Sequence, residues 1–200
     1  MSHQPSAISH IEGRALPLRG DELDTDRIMP ARFLRAVTFE GLERHLFEDD
    51  RAANPGHAFN DPRYTGASIL VVNGNFGCGS SREHAVWALL DAGFRAVIAP
   101  RLADIFRSNA LRNGLVPVEI DADSVERLVD ATLRDPTTMI AIDVERSTVQ
   151  APGIRATFAL DEFSRTRLLE GLDEIAVTLR QERDIAAFET KRPEWLPRVR

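Results

Sequence analysis

The chain has a single cysteine, Cys78, in 200 residues. One thiol excludes an internal disulfide and falls short of the three or four thiolates that hold an iron–sulfur cluster. No apolar run approaches the length of a membrane span. The opening Met-Ser-His-Gln-Pro-Ser lacks the basic-then-apolar layout of a signal peptide. Positive charge is not in excess either: the formal net charge is −6, which leaves no electrostatic footprint for nucleic acid or an anionic membrane. There is no internal repeat and no low-complexity tract. With 43% hydrophobic and 28% charged residues, the chain reads as an ordinary cytoplasmic globular protein, long enough for one domain with its own core.

What is present is concentrated in residues 67–90. Ile69 to Val72 are apolar and largely β-branched, which predicts a buried strand. Gly74, Gly77 and Gly79 follow, in a turn expected to use positive φ and to bring backbone close to a ligand. Ser80 and Glu83 have the spacing of a capping box, so Ser80 is the expected N-cap of a helix. The apolar face of that helix would be Ala85, Val86, Leu89 and Leu90, with Gly93 just past its end. A glycine turn entering a helix N-terminus suits an anion, because the first amides are unpaired and the macrodipole is positive there. Arg82 adds positive charge where the helix itself disfavours it, which suggests an anion or an ionised hydroxyl nearby. The residues alone also allow a plainer reading, with Ser80 only a cap and Arg82 solvated. A P-loop, a dinucleotide Gly-x-Gly-x-x-Gly and a nucleophile elbow are all missing.

Elsewhere the pattern alternates. Residues 1–13 read as a flexible tail and 14–200 as the domain, C-terminal helices included. Ala15 to Leu18 suggest a first strand. Asp24 and Asp26 precede Pro30, either as an Asx-rich turn into a helix or on one side of an extended segment. Residues 35–66 hold a possible helix from Thr38 to Phe47, then Asn54-Pro-Gly56 and Asn60-Asp-Pro62, which predict a long polar loop of the kind used as a lid, with His45 and His57 at the surface. A strand over 96–99, a helix ending at Asn113-Gly114 and a strand over 115–120 follow, the last at a sheet edge because of Pro117. Ser124 should cap a further helix that stops at Asp135-Pro136. Antiparallel strands are expected over 139–144, 148–150 and 155–160, then a helix from Asp161 to Gly171 and more helix to Thr190, with Trp195 in a locally docked tail. The class is α/β: a parallel βαβ core, antiparallel additions and C-terminal helices.

Asn75-Phe-Gly-Cys-Gly-Ser-Ser-Arg-Glu-His-Ala85 resembles the active-site signature of the aconitase-type dehydratases, in their mobile swivel domain. Leu23-Asp-Thr-Asp-Arg-Ile-Met-Pro-Ala-Arg-Phe-Leu34 resembles the second signature of that family, and 171–189 its C-terminal helices. A chain carrying only this domain is similar to the small subunits of bacterial 3-isopropylmalate dehydratases. The resemblance implies an aconitase-like swivelling β/β/α domain. It also implies a hydro-lyase of leucine biosynthesis, interconverting 2-isopropylmalate and 3-isopropylmalate by dehydration and rehydration. Activity would require a heterodimer with a large subunit bearing a [4Fe–4S] cluster, with no metal on this chain. The resemblance gives the base role to Ser80, contacts with substrate carboxylate to Ser81 and Arg82, and an active-site place to Asp26; since like charges repel, Asp26 should pair with a histidine or other group across the interface rather than meet the substrate carboxylates. It assigns substrate discrimination to the turn at Arg32, Phe33 and Leu34, and leaves His84 and Cys78 structural. Phe33 and Leu34 suit an isopropyl group, whereas Arg32 or Arg35 would suit an extra carboxylate. A citraconate, maleate or homoaconitase-type subunit therefore stays open, as does a stand-alone anion-binding regulatory module.

Overall fold

The computed structural model describes residues 6–20, 22–35, 40–80 and 82–193. Strand β1 (His10–Leu18) is followed by the short β2 (Leu23–Asp24), helix α1 (Thr25–Ile28) and, after tight turns at Ala31–Phe33 and Leu42–His45, helix α2 (Glu48–Ala53). Further turns at Ala58–Asn60 and Pro62–Tyr64 lead into β3 (Ile69–Val72), β4 (Asn75–Cys78) and helix α3 (Glu83–Asp91). Next come β5 (Ala96–Ala99), β6 (Arg101–Leu102), α4 (Asp104–Asn113), β7 (Val116–Glu119) and α5 (Ala122–Arg134). The chain closes with β8 (Met139–Asp143), β9 (Thr148–Ala151), β10 (Ile154–Thr157) and helices α6 (Glu162–Glu170), α7 (Glu174–Leu179) and α8 (Glu182–Thr190). Among the described residues no helix is long and apolar enough to cross a membrane.

A seven-stranded sheet runs in the order β10-β9-β8-β1-β3-β5-β7. β1, β3, β5 and β7 are parallel, while β8, β9 and β10 pair antiparallel, and the two kinds of pairing meet on β1. Pro117, which has no N–H to donate, sits on the edge strand β7 as the sequence implies. Both faces are covered, which is why the parallel strands are apolar without alternation. Leu70 and Val72 of β3 belong to one core with Val86 and Leu89 of α3 and Phe106 of α4. Ile69 and Val71 belong to a second with Val125, Leu128 and Val129 of α5.

Several expectations hold and others shift. Helix α3 ends on Gly93 (φ 92), with Phe94 N–H donating to Leu89 O and Gly93 N–H to Leu90 O, a Schellman closure. α4 and α6 end at left-handed Gly114 and Gly171. The N-cap of α5, however, is Asp121, whose carboxylate accepts from Ser124 N–H at 2.8 Å; Ser124 is inside the helix. The flexible tail cannot extend to residue 13, because His10 to Gly13 pair with Asp143 to Ile140 of β8. Residues 40–66 are not an unstructured loop: they form short helical turns pinned by buried Leu42, Leu46, Phe47 and Tyr64. Thr38, where a helix was expected to begin, and Trp195 lie outside the described residues.

A second, three-stranded parallel sheet, β2-β4-β6, stands apart from the first. Its middle strand is β4, in the stretch expected to be a turn. Gly77 sits on it with φ 77, and a Cβ there would lie 2.4 Å from Phe106 Cγ. Gly77→Ala should therefore combine backbone strain with a clash, costing about 3–5 kcal/mol. Gly153, also at positive φ but in open space, should lose only roughly 1–2 kcal/mol on the same change. Urea unfolding of the two variants makes the comparison; equal losses would mean that Phe106 gives way.

Candidate active site

The β2-β4-β6 sheet brings the two sequence signatures together. Leu23 and Asp24 pair with Phe76 and Cys78, and Asn75 and Phe76 pair on the other side with Arg101 and Leu102. Phe76 is fully buried and meets Phe106 edge to face, with ring centroids 5.0 Å apart. This anchors the strand from below. Of the three glycines expected at positive φ, Gly77 and Gly79 adopt it and Gly74 does not. Past Gly79 the chain reaches Ser80, whose carbonyl accepts from the Thr25 hydroxyl at 2.9 Å and from Arg82 N–H at 2.8 Å.

On the other signature, Asp24 closes β2 and caps α1, its carboxylate accepting from Arg27 N–H at 2.8 Å. That places Asp26 in the first turn of α1, where its carboxylate pairs with the Arg82 guanidinium. In the chain by itself, Asp26 thus pairs with Arg82 of the other signature. The two ends differ in solvation: the Arg82 side chain is 17% exposed and that of Asp26 55%. Arg82 is held largely out of water with its fork directed at a carboxylate on the rim.

The capping box is not formed. α3 begins at Glu83 with Arg82 as its N-cap residue and no side-chain cap. The Glu83 carboxylate is taken instead by α4, accepting from Asn113 Nδ2 at 2.6 Å, while Asn113 Oδ1 accepts from Trp87 Nε1 at 3.1 Å. Ser80 is consequently an exposed hydroxyl short of the helix. The end of the macrodipole therefore acts on it less than the sequence suggested, since that field fades within a turn. Ser81 lies outside the described residues. His84 packs against Trp87, ring centroids 4.6 Å apart, in keeping with a structural role.

The turn after Pro30 is held by groups that sequence reasoning did not single out. Arg32 donates to both Asp49 oxygens at 2.8 and 2.7 Å and to Glu48 at 3.0 Å. Glu48 also meets His45 Nδ1 at 2.6 Å. Hydrogen bonds from Arg32, and for Glu48 first of all from His45, hold both carboxyls below their usual range, and the same contacts push the Arg32 guanidinium up. The Phe33 ring lies under the Arg32 guanidinium, 4.6 Å from the ring centroid, and stacks with the His45 ring, centroids 3.7 Å apart. A signal for this was available: Glu48-Asp49-Asp50 is the acidic first turn of α2. Arg27 joins the same turn through Asp50, with Nε 3.0 Å from its carboxylate. An open cavity of about 360 Å³ lies beside the turn, lined in part by Arg32, Phe33, Arg35, Leu42 and His45. Neither histidine is a free surface residue. His57 sits half-buried against Phe47 and Phe59, and that burial pushes its imidazole pKa down.

Cys78, on β4, is partly buried. Desolvation, then Glu22 and Asp24, push its thiol up, away from the thiolate a metal would need. Among the described residues no group of three His, Cys, Asp or Glu side chains is arranged to hold a metal ion.

Comparison with known proteins matches the same segments. Residues 7–123 match the aconitase C-terminal domain, and residues 174–199 match the C-terminal domain of the 3-isopropylmalate dehydratase small subunit. The 3-isopropylmalate dehydratase small subunit of Parafrankia sp. is 54% identical, over 92% of this chain and 94% of that one. Those of Rubrobacter xylanophilus and Streptomyces coelicolor are 47% and 50% identical, each over 96% of this chain and 98% of its own. The crystal structure of 3-isopropylmalate dehydratase from Methanocaldococcus jannaschii superposes with a TM-score of 0.66 at 26% identity, covering 90% of this chain and 99% of that one. With both signatures side by side on one small sheet and relatives of this identity over nearly its whole length, the chain belongs to the 3-isopropylmalate dehydratase small-subunit family, built on the aconitase-type swivel domain.

Proposed function

We propose that this chain is the substrate-gripping half of a cytoplasmic, two-subunit hydro-lyase that interconverts 2-isopropylmalate and 3-isopropylmalate in leucine biosynthesis. The observation that carries the reading is the convergence of Ser80, Arg82 and Asp26, from signatures far apart in sequence, on one rim of the β2-β4-β6 sheet. A [4Fe–4S] cluster does not fit this chain, which has one cysteine, its thiol pushed up. In this reading the cluster belongs to the large subunit, and the departure of hydroxide is that subunit's task.

What remains for this chain is to grip and to move a proton. Arg82 binds a substrate carboxylate through its planar fork, and Asp26 keeps that fork aimed. Ser81 adds a second contact to the same carboxylate. Ser80 removes the proton next to the carboxylate as the C=C bond forms and hydroxide leaves, and returns it on the neighbouring carbon during rehydration. An exposed serine is too weak an acid for this. The ionised form gains from Arg82 and from burial against the large subunit, where the same charge acts through a lower dielectric. Arg32, Phe33 and Leu34 meet the part of the substrate that varies. With Arg32 already matched by Glu48 and Asp49, that cation is not spare for a further carboxylate, and the apolar Phe33 and Leu34 favour an isopropyl group, although Arg35 lines the same cavity.

In the reconstituted complex, Ser80→Ala should lower kcat by about 10²–10⁴-fold, the usual contribution of a positioned base. The unfolding curve should hardly move, because Ser80 caps nothing. Near-normal turnover would remove Ser80 from the proton transfer. Arg82→Lys should be nearly as damaging as Arg82→Ala, since a point charge cannot replace two parallel N–H bonds; the check is kcat and KM for both, and recovery by lysine would reduce the role of Arg82 to charge alone. Finally, Glu48→Gln with Asp49→Asn releases Arg32. The ratio of kcat/KM for a homologue with an additional carboxylate to that for isopropylmalate should rise by about 10–100-fold, the scale of 1–3 kcal/mol per specificity contact. An unchanged ratio would place discrimination elsewhere.

A further inference from the structure

Helices α7 and α8 have no buried residue along their length. Helices this short are marginal in water and normally owe their stability to tertiary packing. Within the chain, the bonds to this arm are chiefly polar. Asp173 caps α7 by accepting from Ala176 N–H at 2.6 Å, and Arg112 and Arg180 pair with Glu174 and Glu170. Among the described residues the apolar side chains stay uncovered. Ile175 and Leu179, four apart on one face of α7, are 68% and 59% exposed. Ile185 and Phe188, three apart on α8, are 37% and 69% exposed. Apolar side chains at such spacing, open on each of two successive helices, are the form in which a helix is read by an apolar groove.

The occupant follows from where these helices stand in the family. The match to the general aconitase C-terminal domain stops at residue 123, whereas α7 and α8 fall within residues 174–199, which match a domain named for the small subunit of the dehydratase. The exposed arm thus lies in the part of the chain that matches the small-subunit domain and not the general aconitase one, and on the two-subunit reading the partner must be held noncovalently. We infer that the α7–α8 arm is a docking surface for the large subunit, Ile175, Leu179, Ile185 and Phe188 being its apolar anchors; the inference rests on the two-subunit reading above. The arm is set apart from the substrate rim. α7 reaches α4 near its C-terminal end through Arg112 and Glu174, whereas Ala103, just before α4, donates its N–H to Phe76 O of β4 at 2.9 Å. The length of α4, about 15 Å, lies between the two points. Docking at the arm therefore does not occupy the Ser80 rim itself.

The test uses the full chain and its cognate large subunit, with the double variant Leu179→Ser/Phe188→Ser. Binding by isothermal titration should weaken at least about 10-fold, as for loss of a buried anchor. Activity should fall when both proteins are dilute and return when the large subunit is raised, with KM for isopropylmalate unchanged. Because both positions are exposed, thermal unfolding of the isolated variant should match wild type. An unchanged Kd overturns the assignment. So does a wild-type chain that self-associates by sedimentation and becomes monomeric in the variant, since the patch would then join two copies. Hydrogen exchange on the wild-type chain gives an independent reading: the amides of α7 and α8 should slow on adding the large subunit, and protection confined to the Ser80 rim would also overturn it. Failure of the wild-type chain to bind any large subunit would instead count against the two-subunit reading itself.

Discussion

The parallel pairing of β4 with β2 and β6 is the constraint on which the candidate site depends. Neither neighbour is longer than two residues, so hydrogen bonding alone is too little to hold the strand. Burial of Leu23, Phe76 and Leu102 supplies the rest, with Phe106 of α4 closing on the strand so tightly that residue 77 has no space for a side chain. Once β4 is fixed, its exit at Gly79 and the exit of β2 at Asp24 run side by side. The Thr25–Ser80 bond and the Asp26–Arg82 pair then form across a gap of more than fifty residues of sequence.

The Asp26–Arg82 pair is better understood as a positioning device than as a source of stability. Its carboxylate end is well solvated, so its contribution to folding stays near the 0–1 kcal/mol of surface pairs. Its effect is geometric: a guanidinium mostly withdrawn from water cannot wander without losing its partner. On the proposed reading, a substrate carboxylate arriving at the same fork meets a donor already turned toward the rim. The Arg32 cluster works by the opposite logic. There the cation is saturated by two carboxylates on α2, with the Phe33 ring lying under its guanidinium and stacked on the His45 ring.

Much of the scaffold was legible because its signals are local. The apolar run of β3, the glycines after α3, α4 and α6, Asp161 before α6 and Pro117 on an edge strand each announce themselves within a few residues. The errors fall where distant partners decide. Asn75-Phe-Gly-Cys has the composition of a turn and becomes a strand only through β2 and β6. Glu83 has capping-box spacing but is engaged by Asn113, thirty residues later. The polar segment over 40–66 does contain breakers, yet Leu42, Leu46 and Phe47 anchor it, and Phe47 N–H bonds Ile28 O beside the site. Both signatures, and so the neighbourhood of the site, were legible by resemblance; the pairing of Asp26 with Arg82 was not, since nothing in either stretch encodes which charge meets which.

The two cores on either side of the large sheet divide the labour between neighbouring side chains of a single strand. Leu70 and Val72 belong to the core shared with α3, α4 and the small sheet that carries the rim, Ile69 and Val71 to the one shared with α5 and the antiparallel strands. Between the α5 side and the rim lies backbone that is hydrogen-bonded on both flanks. Sequence drift is therefore unevenly priced: the α5 core can exchange valine, isoleucine and leucine among its members while the opposite core keeps its registration. A lineage could retune the thermal tolerance of this subunit through residues such as Val125, Leu128 and Ile142 and leave the chemistry of its rim as it was.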